Sequence, residues 1–122
     1  MANAPVTFVR GQWNGRTIRE WLPDVVGDIV RAVDPTRIIV FGSVARGDDH
    51  AESDLDLLVV LDHLEPTQRR AMMRTIRAAI EAPVPVDLLV TDVDEFDARR
   101  NANGSPYYWP SREGEVVHER PR

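Results

Sequence analysis

The chain has 122 residues, a formal net charge of −5 and a hydrophobic share of 43%. This length fits one domain with a real core, and the acidic balance argues against a general nucleic-acid-binding surface. All 15 basic residues are arginine and cysteine is absent, which excludes a Schiff-base or P-loop lysine, a disulfide framework, a thiol nucleophile and a thiolate zinc site.

The first residues, MANAPVTFVRGQW, lack an apolar signal core, and no apolar run approaches the roughly 18 residues of a membrane span. We therefore expect a soluble, cytoplasmic protein without membrane association. Residues 1–16 show no periodicity, so we predict an N-terminal arm over 1–16 and a single domain over 17–122.

From residue 18 to residue 33, apolar residues recur at helical spacing, which predicts a helix with one buried face. Proline is tolerated only in a first helical turn, so Pro23 predicts a firm start near residue 23. Residues 17–22 would then form a separate turn or a kinked extension, and Asp34-Pro35 would end the helix.

The rest of the chain alternates between strand and helix patterns. The predicted strands are 37–42, 54–61, 86–91 and 115–119; the predicted helices are 66–81, a short one capped by Thr91, and a short piece that starts at Ser105-Pro106. This pattern predicts an α/β (α+β) fold, with helices packed on a small mixed β-sheet that has 54–61 in the middle.

Three aspartates occupy unusual places in these strands. Asp54 and Asp56 point to one face of their strand, and Asp87 opens the next strand in the same relation to its apolar run. Two such charges about 4 Å apart repel by about 4 kcal/mol at an effective dielectric near 20. With no lysine available, a divalent cation such as Mg²⁺ is the natural counter-charge, with Asp56 as the bridging ligand. The alternative is that these aspartates cap the strand starts or the adjoining turns, and this alternative is strongest for Asp87 taken alone.

The turn after the first strand favours a phosphate ligand. Gly42 allows a sharp turn and close approach to a ligand, and Ser43 would begin a short helical turn with free N–H groups. Arg46 is in reach of the same ligand, although a surface ion pair explains this arginine equally well.

The two motifs together resemble a known family. The spacing G-S-x10-D-x-D is similar to that of the nucleotidyltransferase superfamily typified by DNA polymerase β. More narrowly, the segment RIIVFGSVARGDDHAESDLDLLVV resembles the minimal nucleotidyltransferase (MNT) domains of prokaryotes, and VDLLV and the tail SPYYWPSREGEVVHER resemble their later elements. The chain departs from the pattern at His50, which is extra, and at Pro110, which we expect to break the tail helix.

The resemblance implies a nucleotidyltransferase fold and reaction. Gly42 and Ser43 would bind the β- and γ-phosphates of ATP or another nucleoside triphosphate. Two Mg²⁺ ions would be held by Asp54 and Asp56, and Asp87 would complete the metal site and help to deprotonate the acceptor hydroxyl. The acceptor oxygen would attack the α-phosphorus and release pyrophosphate.

The resemblance also implies a partner, which the residues themselves do not show. MNT proteins often stand beside a HEPN-domain toxin and act as antitoxins by adding AMP to a tyrosine of that toxin, so an oligomer with this partner is expected. Two alternatives stay open: a non-catalytic antitoxin that neutralises by binding, and a small-molecule nucleotidyltransferase of the aminoglycoside type, which the missing substrate domain disfavours.

Other residues favour structural interpretations. His50, His63 and His118 are scattered and fit loop roles better than metal ligands. The arginines of the 66–81 helix fit a solvated face better than a docking patch. The aromatic run at 106–109 fits packing onto the sheet better than base stacking.

Overall fold

A computed structural model describes residues 6–50 and 53–121. Its elements in chain order are β1 (Phe8–Val9), β2 (Gln12–Trp13), β3 (Arg16–Thr17), α1 (Ile18–Val33), β4 (Arg37–Phe41), α2 (Gly42–Arg46), β5 (Leu55–Leu61), α3 (Arg69–Ala79), β6 (Val86–Asp92), α4 (Val93–Arg99), α5 (Tyr108–Glu113) and β7 (Glu115–Glu119). A 3₁₀ turn over Pro66–Gln68 leads into α3.

The main sheet has four strands in the order β6-β5-β4-β7. Only β5 and β6 run parallel, and the other neighbours are antiparallel. The predicted mixed α+β sheet, with 54–61 between 37–42 and 86–91, is confirmed. This order places the starts of β5 and β6 beside the end of β4.

The sheet separates two apolar layers. On one face, α1 and α3 bury a large cluster that includes Val25, Ile29, Leu57 and Ile76. On the other face, a smaller cluster gathers Ile39, Leu58, Val60, Phe96 and Tyr107. Asp56 lies on the face of the small cluster, because it alternates with Leu57 and shares its side with Leu58, and its register partner Asp87 lies on the same face.

Helix α1 begins at Ile18, so the predicted firm start near Pro23 is wrong. Thr17 and Glu20 form a reciprocal capping box at its first turn, and Ile18 and Leu22 are buried in the large cluster. Capping and burial hold the first turn in the same helix and offset the hydrogen bond that Pro23 removes. The predicted end is confirmed, with Asp34 as the C-terminal cap in a left-handed conformation.

Two other details differ from prediction. The cap of α4 is Asp92, whose carboxylate accepts from the backbone N–H of Glu95 at 2.9 Å, whereas Thr91 is a buried residue of β6. Pro110 lies inside α5 without breaking it, because it is the third residue of the helix, where the backbone N–H has no intrahelical partner.

The region predicted as an arm contains the strands β1, β2 and β3, which pair as a small antiparallel sheet. Trp13 packs against the large cluster, and its carbonyl accepts a 2.7 Å hydrogen bond from the indole of Trp21. Residues 1–5 of the predicted arm lie outside the described residues. Within the described ranges, no helix is long and apolar enough to cross a membrane.

Candidate functional site

The centre of the candidate site is a pair of aspartates on neighbouring strands. Asp56 of β5 is the register partner of Asp87 of β6, and on its other side it pairs with Phe41 at the end of β4. Register partners project from the same face of a sheet with their Cβ atoms about 5 Å apart. The carboxylates of Asp56 and Asp87 therefore stand side by side, as the strand pattern predicts.

Asp54 precedes β5 and points to solvent. Two hydrogen bonds join Ser53 to His50: the Ser53 hydroxyl accepts from the His50 N–H at 2.8 Å, and the Ser53 N–H donates to the His50 carbonyl at 2.9 Å. The N–H of Leu55 donates to the Pro85 carbonyl at 2.9 Å and joins the start of β5 to the start of β6. These bonds place Asp54 at the same end of the sheet as the other two aspartates.

The electrostatics of the site single out Asp56. Burial and, after it, the negative charges of Asp87 and Asp54 together raise the pKa of Asp56 from 3.8 to about 6, against the opposing effect of the Arg46 guanidinium. Each of the three aspartates therefore contributes to one local excess of negative charge. Such an excess favours a cation at this place.

Gly42 gives the site its shape. Its φ is +72°, a left-handed conformation that suits glycine, and a Cβ built on it would stand 2.1 Å from an Asp56 carboxylate oxygen. The turn between β4 and α2 therefore runs directly against Asp56. Only a residue without a side chain allows this approach.

Ser43 is the second residue of the five-residue helix α2, as predicted. Phe41 caps this helix without a side-chain hydrogen bond, so no capping side chain occupies the N–H groups of its first turn. Arg46 at the other end is exposed, and its guanidinium lies 3.3 Å from Asp48 and 3.8 Å from Glu113. The surface ion pair considered for Arg46 is thus present, and its role toward a nucleotide stays a prediction.

A metal ion would have to be shared between the protein and a substrate. In the described parts of the chain, no three His, Asp or Glu side chains form a group that could hold a metal by themselves. Magnesium is commonly bound by one or two carboxylates together with substrate phosphates and water. The carboxylate pair on β5 and β6, with its uncompensated charge, fits that donor set.

Three of the remaining candidate residues have structural partners. His63 lies 2.8 Å from Glu65 on the surface, which raises the pKa of His63. On α3, Arg69 makes an ion pair with Glu95 at 2.8 Å, and Arg77 donates to the Val86 carbonyl at 3.1 Å. A concavity of about 1100 Å³ lies between α1 and residues 80–83, and none of the three aspartates lines it.

The aromatic run at 106–109 divides between two environments. Tyr107 is 2% exposed and packs in the small cluster, as the packing interpretation predicts. Trp109 is 60% exposed and lines a cavity of about 330 Å³ together with Phe41, Gly42, Arg46 and Glu113. Trp109 beside the glycine turn is a site residue that the prediction for the whole run does not include. Helical spacing, which separates positions 107 and 109, is the signal that could have found it.

Comparison with protein families matches residues 20–109 to the model described as a nucleotidyltransferase domain. The chain belongs to this family. The match includes Gly42, Ser43 and all three aspartates. Family membership supports nucleotidyl transfer as the activity, and family members generally use a nucleoside triphosphate and a divalent metal.

A solved structure supports the same fold. The nucleotidyltransferase domain is similar to a protein from Sulfolobus solfataricus assigned as a nucleotidyltransferase, with a TM-score of 0.61 and 21% sequence identity. The similarity covers 84% of this chain and 81% of the other. Among curated proteins, the comparison finds no match.

Proposed function

We propose that this nucleotidyltransferase domain transfers a nucleoside monophosphate, AMP from ATP, to a hydroxyl acceptor in a Mg²⁺-dependent reaction. The observation that carries the proposal is the position of Asp56 between the carboxylate of Asp87 and the backbone of Gly42. A raised pKa at Asp56 accompanies this geometry. Two adjacent carboxylates packed against a glycine turn repel each other and destabilise the fold, but they can bind the metal ion of a metal–phosphate ligand.

The residues divide the work between substrate and metal. Gly42 and Ser43 bind the β- and γ-phosphates through N–H groups of the first turn of α2, which the side chain of Phe41 does not cap, and Arg46 adds positive charge at the same cavity. Asp54 and Asp56 are the carboxylates that would hold the Mg²⁺ ions. Bound magnesium supplies charge neutralisation on the phosphate oxygens, which is the main electrostatic requirement of phosphoryl chemistry.

Asp87 acts on the acceptor side. It stands beside Asp56 on the edge strand of the sheet, where an acceptor can approach from outside. Its carboxylate takes the hydroxyl proton while the acceptor oxygen forms a bond to the α-phosphorus. The bond between the α-phosphorus and its bridging oxygen breaks, and pyrophosphate leaves with that electron pair. Positioning of the two reactants supplies much of the rate acceleration.

We further propose that the acceptor is a tyrosine of a partner HEPN-domain toxin, so that the chain acts as an antitoxin. The support is the similarity of 37–60 to the MNT motif, including the Gly-Ser turn and both aspartates of β5.

The experiment titrates the protein against a fixed amount of the HEPN partner. A catalyst modifies many partner molecules, so we expect wild type to protect from toxicity below equimolar dose in the presence of ATP and Mg²⁺. The double variant Asp54→Asn plus Asp56→Asn should keep partner binding, lose protection at low dose and add no AMP, as mass spectrometry of the partner would show.

The same titration tests the binding-only antitoxin. An antitoxin that acts by covering its partner must match it about one to one. Equal protection by wild type and the double variant, saturating at equimolar dose, would contradict the catalytic proposal and favour that alternative. The assignment of the fold does not depend on this outcome.

A further inference from the structure

Trp109 is the most exposed aromatic side chain of the protein. The chain has three tryptophans, two tyrosines and three phenylalanines, and of these only Phe8 and Trp109 are exposed, at 42% and 60%. Covering a large exposed apolar ring with a flat ligand removes apolar area from water and is favourable. The surroundings of Trp109 show which ligand fits.

The indole is held by its neighbours on both sides in sequence. Tyr107 is buried and its hydroxyl donates to Glu95 at 2.6 Å, and Pro110 is buried at the base of the same short helix. Tyr108 contacts the Trp109 ring edge-to-face, with centroids 5.2 Å apart and planes at 88°. Arg112 in turn lies over the Tyr108 ring at 4.4 Å. The short helix that carries Trp109 is therefore anchored, and the Trp109 ring already has one aromatic contact before any ligand arrives, which reduces the entropy cost of stacking on it.

The cavity that Trp109 lines is continuous with the proposed phosphate site. Gly42 and Arg46 line the same cavity, and so does Phe41, the register partner of Asp56. Because register partners share a sheet face, the cavity opens on the face that carries the carboxylates. Its volume of about 330 Å³ lies within the range of small-ligand sites.

We propose that Trp109 is the stacking platform for the nucleobase of the nucleoside triphosphate. The inference rests on the proposed function, since it requires the triphosphate to lie at Gly42 and Ser43. Flat aromatic bases of every type stack on tryptophan, and the larger purines gain most from it. Phe41 and Trp109 supply the apolar surface of the cavity, while Arg46 and Glu113 supply its polar rim.

The test compares two probes that differ in the nucleoside. Calorimetry measures the binding of Mg·ATP and of Mg·tripolyphosphate to wild type, Trp109→Ala, Trp109→Phe and the control Val116→Ala. Val116 is 48% exposed and lines a different groove, beside α1. We expect Trp109→Ala to weaken Mg·ATP about tenfold, the usual effect of losing one stacked base, and to leave Mg·tripolyphosphate unchanged. Trp109→Phe should keep most of the ATP affinity, and the control should match wild type.

Tryptophan fluorescence gives a second readout that a purely structural role would not produce. ATP should quench wild-type emission, and the quench should vanish in Trp109→Phe although calorimetry still detects binding. Unchanged ATP affinity in Trp109→Ala, or an equal loss for both probes, would overturn the inference while sparing the phosphate site. If wild type binds neither Mg·ATP nor Mg·tripolyphosphate, both the proposed function and the role of Trp109 are overturned.

Discussion

Replacement of Gly42 by alanine tests the geometry of the site most sharply. The added methyl would stand 2.1 Å from an Asp56 carboxylate oxygen, so the two must separate by more than about 1 Å to reach ordinary contact at 3.4 Å. A left-handed backbone conformation costs a residue with a Cβ about 1–2 kcal/mol in the folded protein. Alanine also lowers the conformational entropy of the unfolded chain, and this effect offsets about 0.4–1 kcal/mol of that cost. The strain alone should therefore lower the free energy of unfolding by about 1 kcal/mol.

Gly104→Ala is the matched control, because Gly104 has a φ of +89° and nothing within 4 Å of an added Cβ. Both variants should lose about 1 kcal/mol in urea unfolding, with a further loss in Gly42→Ala from the contact with Asp56. A displacement of about 1 Å at a reacting centre costs on the order of 10²-fold in rate. We therefore expect Gly42→Ala to lose about that factor in AMP transfer and Gly104→Ala to transfer as wild type does. Equal transfer by the two variants would refute the proposed role of the Gly42–Asp56 contact.

Three further predictions concern stability. Because burial and two neighbouring carboxylates raise the pKa of Asp56 to about 6, its charge destabilises the metal-free fold above that pH, and this cost disappears as pH falls from about 6 to about 4. Asp56→Asn should therefore raise the free energy of unfolding at pH 8 by about 1–2 kcal/mol. The same variant should abolish the rise in melting temperature that Mg·ATP gives wild type. An unchanged free energy of unfolding at pH 8 would contradict the role of the Asp56 charge. Burial alone would raise the pKa of Glu95, but hydrogen bonds from three donors lower it from 4.5 to about 2, so its stabilisation is present above pH 4.5 and lost as pH falls toward 2. Glu95→Gln should cost up to about 3 kcal/mol in urea unfolding at pH 7 and little at pH 2, and an equal cost at both would exclude an ionic origin. Pro23→Ala should raise the melting temperature, because it restores an N–H donor to the interior of α1 at an exposed position; a lower melting temperature would show that the proline ring itself stabilises the helix.

The sheet could be predicted because its strands are short apolar runs separated by clear turns. Strand order followed from the requirement that Asp56 and Asp87 meet, and the structure pairs them in register. The start of α1 was predicted wrongly because local proline preference was weighed above a capping box and the burial of Ile18. Tertiary burial routinely outweighs such local preferences.

The candidate site was predictable only in part. Gly42 and the three aspartates could be predicted because they lie in motifs of fixed spacing. The residue types themselves indicate a tight turn and a carboxylate site. The contact between Gly42 and Asp56 depends on the exact path of a turn, which spacing does not specify. The roles of Trp109 and Glu95 depend on how the short helices α4 and α5 pack on the sheet. Helical spacing separates position 107 from position 109, but it does not specify which surface of the sheet lies next to each side chain.

The most direct test of the central claim is a crystal structure of the protein with Mn²⁺ and an ATP analogue that cannot be cleaved at its α-phosphorus. We expect anomalous manganese peaks at the Asp54 and Asp56 carboxylates, with the β- and γ-phosphates against Gly42 and Ser43. A triphosphate bound elsewhere, with no metal at these carboxylates, would contradict it.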